Sequence, residues 1–507
     1  MSAPLDDAIT GTDDPFDAGD KVDEQMLRRT LMAAAGPLVD VANHIDPLTG
    51  DFRPLPPAPV VWAEVLLFEA FTLSGGEPDL IYWNDAWWRW EGSHWKESSD
   101  GEIEAEAYRV FHRKRLYRKA LDDINDAPPF NPDGKKLTET LRALRARVRV
   151  AGTVEPFQWF GRRPTDPDPA DLIPCQNGLF NLRTKRLMAA DRRFMATSVG
   201  DWTFDRTVTA PRFMGFVESV WPGDATTQGF FQEILGYMLS GDRSLQKIPA
   251  LIGPPRSGKS LIARILDSAV GSGLYTALST AQFAENFGLQ GTIGKRVAAI
   301  PDLRLKRQVD HGAFAERLLT MSGEDSASIP QKHRADWRGS PSAKFIFAAN
   351  ELPDLRDDSG AIANRLAPLV FRKSFLGVED PKLFDAMRRE LAWIVNWAAL
   401  GLARLRKRGS FELPQASRDL IATATESASP ITAFVRERCE LDEKRETSVG
   451  LMLDVYNAWR IDAGEKPANA NALSRGLRAA YQIETRRERG PRSAVRGRVY
   501  GGIGIVS

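Results

Sequence analysis

Residues Ile248–Ser260, which read IPALIGPPRSGKS, contain the pattern that decides the fold. A short apolar strand leads into Gly-x-x-x-x-Gly-Lys-Ser, and a helix is predicted from Leu261. Glycines let the main chain approach a phosphate closely, and the start of a helix supplies N–H donors at the positive end of its dipole. We therefore predict a phosphate-binding loop for ATP, in which Lys259 bridges the β- and γ-phosphates and the Ser260 hydroxyl binds Mg²⁺. The predicted ATP contacts are Gly253, Pro254, Pro255, Arg256, Ser257, Gly258, Lys259, Ser260 and Leu261.

Two further apolar strands end in polar side chains that suit ATP hydrolysis. Residues Lys295–Asp302 form a strand that ends in an acid, and the Asp302 carboxylate can hold the hydration shell of Mg²⁺. The strand at Lys344–Asn350 ends in an amide that can orient the attacking water against the γ-phosphate; a strand-end cap is the structural alternative. Apolar strands alternate with helical stretches near residues 245–375, which predicts a layered parallel sheet.

An arginine follows the second of these strands. Arg365 lies fifteen residues after Asn350. A guanidinium that reaches the γ-phosphate of a neighbouring subunit stabilises the transition-state charge. Arg372 is the second candidate for that role, and a surface salt bridge is the structural alternative for Arg365. The candidate catalytic residues are therefore Lys259, Asp302, Asn350 and Arg365, with Ser260 and Asp302 as candidate Mg²⁺ ligands.

The composition is that of an ordinary globular chain of several domains. Of its 507 residues, 43% are hydrophobic and 27% are charged, which excludes wholesale disorder and a fibrous repeat. Lys plus Arg (68) and Asp plus Glu (67) nearly cancel, so the net charge does not select a class of partner. Two cysteines exclude a disulfide framework and a thiolate zinc cluster, and no apolar run reaches membrane-spanning length. We expect a soluble cytoplasmic protein with no membrane partner.

Five regions follow from shifts in composition along the chain. The acidic start, interrupted by Pro and Gly, predicts a disordered tail. The last stretch reads as two helices and a basic β-hairpin, which is a winged-helix pattern. The predicted regions are a tail at 1–22, a mixed α+β accessory domain at 23–210, a P-loop ATPase core at 211–380, a helical linker or lid at 381–440 and a winged-helix domain at 441–507. The candidate duplex-DNA contacts in the basic hairpin are Arg486, Arg487 and Arg492.

Five tryptophans lie between Ile81 and Trp95, in the stretch IYWNDAWWRWEGSHW. Alternating aromatic residues around a turn at residues 91–93 predict a β-hairpin. These rings could stack on nucleic-acid bases. Packing in the core of a small domain is the interpretation that we favour.

Taken in order, the motifs resemble the phage/plasmid primase-helicase C-terminal family, a branch of the superfamily 3 helicases with an AAA+-like core. The resemblance runs from about Asp79 to Gly504. Its marks in the core are Gly253–Ser260, Gly294–Arg304, Ser322–Asp325, Asn350–Pro353 and Ala363–Leu366. Its marks outside the core are Asn177–Leu182, Asn457–Trp459 and Val499–Gly504.

The resemblance implies an ATP-driven hexameric ring that translocates on single-stranded DNA, with ATP bound between subunits. It also implies a pore hairpin, here Ser328–Trp337, in which Lys332 and His333 are the candidate contacts to the DNA backbone. About 60 mostly polar residues precede the accessory domain's apolar part and cannot fold a primase domain, so a separate primase or polymerase is an expected partner. The expected function is a DNA replication helicase of a phage, plasmid or integrated element in a bacterial host, without primase activity and with possible origin contacts through its C-terminal domain.

One departure from the family leaves the general base open. Many superfamily 3 motors have paired acids at this strand end, whereas Pro301 precedes Asp302 and Leu303 follows it. Asp302, Glu324 and Glu351 are therefore all candidates to position the water. The single acid also keeps open an ATP-dependent switch or assembly platform that binds DNA or protein without unwinding. A small-molecule P-loop kinase lacks support, because it needs no pore loop, sensor amide or winged helix.

Overall fold

The computed structural model describes residues 55, 58–73, 75–116, 128–152, 154–305, 311–353, 361–428, 430–462, 467–487 and 497–506. The tail predicted at 1–22 and the candidate Arg492 lie outside these residues. The chain divides into two compact units, and the first ends at Arg163. Residues 92–94 and 156–158 belong with the second unit.

The first unit combines helices with a small antiparallel sheet. Its described elements are α1 (Pro59–Ala70), β1 (Leu80–Trp83), β2 (Ala86–Trp90), β3 (Trp95–Ser98), α2 (Asp100–Phe111) and α3 (Gly134–Arg147). The strands pair in the order β1-β2-β3. Helix α2 begins with a capping box, in which the Ser99 side chain accepts from Glu102 N and the Glu102 side chain accepts from Ser99 N.

The tryptophan cluster forms the predicted hairpin and packs mostly inside the first unit. Strands β2 and β3 pair with Trp90 opposite Trp95. Trp83, Trp87 and Trp95 are only 5%, 1% and 2% exposed. Trp87 Nε1 donates to Asp100 Oδ1 at 2.7 Å, so its polar atom is satisfied inside the unit. These three rings are therefore core residues.

The second unit begins with another small antiparallel sheet. Its strands are β4 (Leu172–Cys175), β5 (Gly178–Asn181) and β6 (Arg186–Met188). Trp202 Nε1 donates to the carbonyl of Ala269 at 2.9 Å, and the buried Arg296 donates Nη1 to Leu172 O at 2.7 Å. These bonds connect residues 164–210 to the part of the second unit that contains the parallel sheet. The sequence analysis grouped them with the accessory domain, because local patterns do not show such long-range bonds.

A five-stranded parallel sheet lies at the centre of the second unit. From residue 211 the elements are α4 (Pro211–Val220), α5 (Ala225–Leu239), β7 (Ile248–Ile252), α6 (Lys259–Val270), β8 (Tyr275–Ala277), α7 (Thr280–Ala284), β9 (Val297–Ile300), α8 (His311–Ser322), β10 (Ala327–Ile329), β11 (Trp337–Gly339), β12 (Lys344–Ala349), α9 (Ala361–Arg365) and β13 (Leu366–Val370). The sheet order is β13-β7-β12-β9-β8. Numbered by their order in the sequence, the strands of this sheet run 5-1-4-3-2. The strand that leads into the predicted phosphate-binding loop, β7, is therefore an interior strand between β13 and β12. Strands β7, β9 and β12 are buried along their whole length, as expected for parallel strands covered on both faces.

The C-terminal part adds helices and a third three-stranded antiparallel sheet. Its elements are α10 (Leu383–Arg388), α11 (Leu391–Arg408), α12 (Gln415–Ala428), α13 (Pro430–Arg438), β14 (Cys439–Ser448), α14 (Val449–Asp462), α15 (Ala470–Tyr481), β15 (Thr485–Arg487) and β16 (Arg498–Ile505). The strands pair in the order β14-β16-β15 around a core that includes Phe434, Tyr456 and Tyr500. The predicted start at 441 is therefore too late, since α13 and β14 belong to this core. Strand β14 reads CELDEKRETS and is mostly exposed, so it lacks the apolar alternation that predicts a strand.

No helix within the described ranges is both long enough and apolar enough to span a bilayer.

Candidate nucleotide site and nucleic-acid contacts

The predicted phosphate-binding loop, residues Gly253–Ser260, has the expected strand–loop–helix geometry. It leaves the carboxyl end of β7, and α6 begins at Lys259. Gly258 precedes the helix in the left-handed region, with φ of +99°, and its carbonyl accepts from Leu261 N at 3.1 Å. The amino-terminal N–H groups of a helix of 12 residues therefore point toward the loop.

The first glycine of the loop is required by a close main-chain approach. A Cβ atom at Gly253 would lie 2.3 Å from the carbonyl oxygen of Phe371, the residue that follows β13. Phe371 N donates to Ile252 O at 2.7 Å, so this approach continues the pairing of the two strands. A side chain at position 253 would have to push the loop away from β13.

Lys259 binds the carbonyl groups of its own loop. Its Nζ donates to Gly253 O at 2.5 Å, to Pro254 O at 2.7 Å and to Ser257 Oγ at 3.3 Å. Burial lowers the pKa of the Lys259 ammonium, and the nearby Asp302 carboxylate opposes that shift. The ammonium is thus held over the loop, where phosphate oxygens would replace or join the carbonyl contacts.

Asp302 and Asn350 lie at the same edge of the sheet as the loop. Asp302 follows β9, and Asn350 follows β12 directly. Leu303 N donates to Ala348 O at 2.8 Å, and Gly253 N donates to Ala349 O at 3.2 Å. The three strand ends are therefore linked by main-chain hydrogen bonds. The Asp302 carboxylate is 58% exposed and pairs with Arg304 Nε at 3.0 Å.

These residues fit a nucleotide-bound Mg²⁺ better than a protein-held metal centre. Among the residues that the structure describes, no group of three or more His, Cys, Asp or Glu side chains could hold a metal ion. Magnesium bound with phosphates needs only one or two protein ligands, because phosphate oxygens and water supply the others. Ser260 at the start of α6 and Asp302 after β9 would be those ligands.

Arg365 lies at the opposite edge of the sheet. It ends α9, and the next residue, Leu366, pairs with Ile248 at the start of β7. From Ile248 the chain runs through the five residues of β7 before it reaches the loop, a length of about 16 Å at roughly 3.3 Å per residue. The Arg365 guanidinium donates to Leu319 O, and to Ser322 Oγ at 2.9 Å, at the carboxyl end of α8. Arg365 therefore does not meet the phosphate loop of its own chain.

The three candidate bases are also separated by the sheet. Glu351 follows Asn350 at the loop edge, as Asp302 does. Glu324 lies just past the end of α8, and its carbonyl accepts from Ser340 Oγ at 3.1 Å. The end of α8 is the site that Arg365 contacts, so Glu324 lies at the far edge. Within one chain, only Asp302 and Glu351 remain as candidates.

The segment proposed as a pore hairpin is a β-hairpin. Strands β10 and β11 are antiparallel, with Ile329 opposite Trp337. Lys332 and His333 are exposed at its tip, and His333 has φ of +63°. Arg334, which sequence reasoning did not single out, is exposed beside them. The tip therefore carries three adjacent basic side chains.

Phe287 is a second residue near this tip that sequence reasoning missed. Its side chain is 50% exposed, and Gln290, three residues later, accepts from Lys332 N at 3.0 Å through Oε1. Arg317 Nη1 holds the preceding turn by donating to Phe283 O at 2.5 Å and to Glu285 O at 2.7 Å. The exposed Phe287 ring thus belongs to a turn whose following residues are hydrogen-bonded to the basic tip. A lone phenylalanine in a polar loop (ENFG) was the only available signal.

The C-terminal candidates differ in their surroundings. Arg486 Nη2 pairs with Glu446 Oε1 at 2.7 Å, across the three-stranded sheet. Its guanidinium also covers Gly501, where a Cβ atom would lie 2.3 Å from Arg486 Cζ. Arg487 lies on β15, opposite Arg498 of β16. Contact with duplex DNA by Arg486 and Arg487 stays a prediction.

Comparisons with known proteins bear on both units. A family model described as D5 N terminal like matches residues 80–222, and one described as a family of unknown function (DUF5906) matches residues 251–365. The chain therefore contains a D5 N-terminal-like region. No curated protein matches the chain.

Solved structures of the NrS-1 C-terminal region resemble the chain in fold. The A-form apo structure of that region has 10% sequence identity and a TM-score of 0.50, and the alignment covers 88% of this chain and 99% of that one. A second A-form apo structure, of residues 305–718, has 10% identity, a TM-score of 0.48 and coverage of 88% and 99%. At this identity the first likeness concerns fold alone.

Proposed function

We propose that the chain is an ATP-dependent DNA helicase of the superfamily 3 type, which acts in replication of a phage, plasmid or integrated element. The observation that carries the proposal is the separation of the catalytic candidates. Lys259, Asp302 and Asn350 lie at one edge of the sheet and Arg365 at the other. A nucleotide site with all four residues requires two copies of the chain, as in a ring motor.

Four other observations support this function. The 5-1-4-3-2 strand order and the phosphate loop on its first strand suit an AAA+-like core. A basic hairpin follows α8, as a DNA-contacting pore loop would. The C-terminal elements run helix, strand, helix, helix, strand, strand, which is the order of a winged-helix domain. The D5 N-terminal-like match agrees with a replication role.

In the proposed mechanism each residue has a separate task. Lys259 and the main-chain N–H groups of the loop hold the triphosphate, and Mg²⁺ would neutralise phosphate charge. The Asn350 amide orients the water, and Asp302 or Glu351 accepts its proton. Arg365 of the neighbouring subunit stabilises charge on the transferred phosphate. Sequential hydrolysis around a hexamer would move the hairpins along one DNA strand.

The proposal is tested by ATP hydrolysis and strand displacement. We expect single-stranded DNA to raise the hydrolysis rate several-fold, and we expect the protein to displace a labelled strand from a forked duplex only with hydrolysable ATP. Hydrolysis that ignores DNA, with no displacement, would instead support an ATP-dependent switch or assembly platform. The pairing of Asp302 with Arg304 is the observation that favours this second function, because it engages the only acid at the end of β9.

Replacing Phe287 with alanine is expected to weaken binding of single-stranded DNA about tenfold or more, because an exposed ring beside basic residues can stack on a base. Lys332→Ala should also weaken binding, because it removes a positive charge that contacts the phosphate backbone. The affinity of this variant should therefore depend less on salt concentration than that of the wild type. Fluorescence anisotropy with a labelled oligonucleotide measures both. Phe287→Trp is the conservative control, and it should retain affinity.

An oligonucleotide of abasic sites separates the two contacts. Phe287→Ala and the wild type should bind it with equal affinity, since it has no bases to stack. Lys332→Ala should still bind it more weakly than the wild type, because the backbone phosphates remain. A Phe287→Ala protein that binds normal single-stranded DNA like the wild type would rule out stacking at this position.

A further inference from the structure

The segment that follows β13 runs beside the phosphate loop. After the bond from Phe371 N to Ile252 O, Ser374 Oγ donates to Pro255 O at 2.8 Å. Phe375 N then donates to Arg256 O at 2.9 Å. Residues 371–375 are thus hydrogen-bonded to the end of β7 and to the first half of the loop. They lie at the same edge of the sheet as Lys259.

Arg372 is the arginine of this segment, and its side chain is exposed to solvent. It follows Phe371, whose carbonyl meets the first glycine of the loop at the close approach described above. The neighbouring cation of the segment and the arginine of the loop both have partners. Lys373 Nζ lies 4.8 Å from the centre of the Phe375 ring, and Arg256 Nε lies 3.6 Å from Glu379 Oε1. Arg372 is exposed, and within the described residues its guanidinium has no carboxylate partner.

The position of Arg372 also differs from that of Arg365 relative to the sheet. Strand β13, five residues long, lies between them, so they sit at opposite ends of a parallel strand about 16 Å long. A nucleotide bound at one loop is therefore close to Arg372 of the same chain. The sequence analysis considered both arginines for action on a neighbouring subunit, and the strand register separates their roles.

We propose that Arg372 binds the phosphates of the ATP held by its own subunit, while Arg365 acts on the ATP of the next subunit. This inference rests on the proposed function for the role of Arg365, but the binding role of Arg372 does not require hydrolysis or unwinding. A guanidinium can form two parallel hydrogen bonds to phosphate oxygens, which a lysine cannot reproduce. Arg372 thus supplies positive charge on the side of the loop opposite to the β12 strand end.

The binding experiment uses the full chain and a fluorescent ATP analogue. We expect Arg372→Ala to raise the dissociation constant about tenfold or more, as for loss of a hydrogen bond to a charged group. Arg372→Lys should recover part of the loss. Lys373→Ala removes a neighbouring cation that packs on Phe375, and it should bind like the wild type. Wild-type affinity in Arg372→Ala overturns the proposal.

Subunit mixing then distinguishes action within a chain from action between chains. In an equal mixture of Lys259→Ala and Arg365→Ala proteins, some sites take Lys259 from an Arg365→Ala subunit and Arg365 from a Lys259→Ala subunit. These sites contain neither defect, so the mixture should recover hydrolysis. Arg372→Ala mixed with Arg365→Ala should recover likewise. Arg372→Ala mixed with Lys259→Ala should hydrolyse ATP no faster than the two proteins measured separately at the same subsaturating ATP concentration, because every site then has one defect in its own loop subunit.

The outcomes separate this inference from the proposed function. Recovery in the mixture of Arg372→Ala with Lys259→Ala would show that Arg372 acts between chains, and it overturns the inference while the shared site stands. No recovery in the mixture of Lys259→Ala with Arg365→Ala contradicts the shared site itself. In that case the affinity of Arg372→Ala for the ATP analogue still decides whether Arg372 binds ATP.

Discussion

Replacing Lys259 with alanine is expected to lower ATP hydrolysis by about 10²–10³-fold or more, the usual cost of removing one preorganised group from a transition state. The Lys259 ammonium lies within hydrogen-bonding distance of two loop carbonyls, so it is already placed over the site that the phosphates would occupy. Without it, the phosphate charge is left to main-chain N–H groups and Mg²⁺. Steady-state hydrolysis with and without single-stranded DNA measures the loss.

Lys295→Ala is a matched control for this variant. Lys295 is also half-buried and also donates Nζ to a main-chain carbonyl, that of Gly273, at 2.7 Å. Burial lowers the pKa of both lysines, so the two substitutions remove similar groups. Lys295→Ala should hydrolyse ATP at a rate close to the wild type. Equal activity of Lys259→Ala and the wild type would show that the loop does not bind the reacting phosphates.

Replacing Arg365 with alanine is expected to lower hydrolysis by about 10³-fold while leaving ATP affinity unchanged. The reason is the strand register, which places Arg365 at the edge of the sheet far from its own loop. A group that acts only on the neighbour's transition state contributes little to binding of ATP by its own subunit. Single-turnover hydrolysis and binding of an ATP analogue measure the two effects separately.

Arg404→Ala is the control for loss of a structural arginine. Arg404 donates to Gln232 Oε1 at 2.6 Å and to Gly229 O at 3.1 Å, so it joins two helices much as Arg365 joins α9 to α8. Thermal unfolding should show similar, small destabilisation in both variants, and only Arg365→Ala should lose hydrolysis. A parallel loss of ATP affinity in Arg365→Ala would indicate a structural role.

Local patterns in the sequence were sufficient for the elements that carry the chemistry. The loop at Gly253–Ser260, its strand and its helix follow from residues within a few positions of one another. The hairpin at β2–β3 has the same origin, because aromatic alternation and turn residues act over short distances. The hairpin at β10–β11 was expected from the family resemblance instead. Strands that end in Asp302 and Asn350 were also predictable, since buried parallel strands read as continuous apolar runs.

Long-range packing decided features that those patterns cannot contain. The exposed, charged strand β14 has no apolar alternation, and it is a strand because it pairs with β16. Phe287 became a candidate DNA contact only through the tertiary structure, in which Gln290 accepts a hydrogen bond from the tip of the β10–β11 hairpin. The first unit ends at Arg163 and not at residue 210 as predicted, because Trp202 and Arg296 form hydrogen bonds with residues far along the chain.

By itself the sequence determined a strand, a glycine-rich loop and a helix in a parallel sheet, because strand, loop and helix signals are local. Which candidates could share one site was decided by tertiary structure. Strand order and parallel direction assign each strand end to an edge, and both depend on contacts between distant segments. Lys259, Asp302 and Asn350 came to one edge, whereas Arg365 and Glu324 came to the other, because a residue before a parallel strand and a residue after it lie a strand length apart.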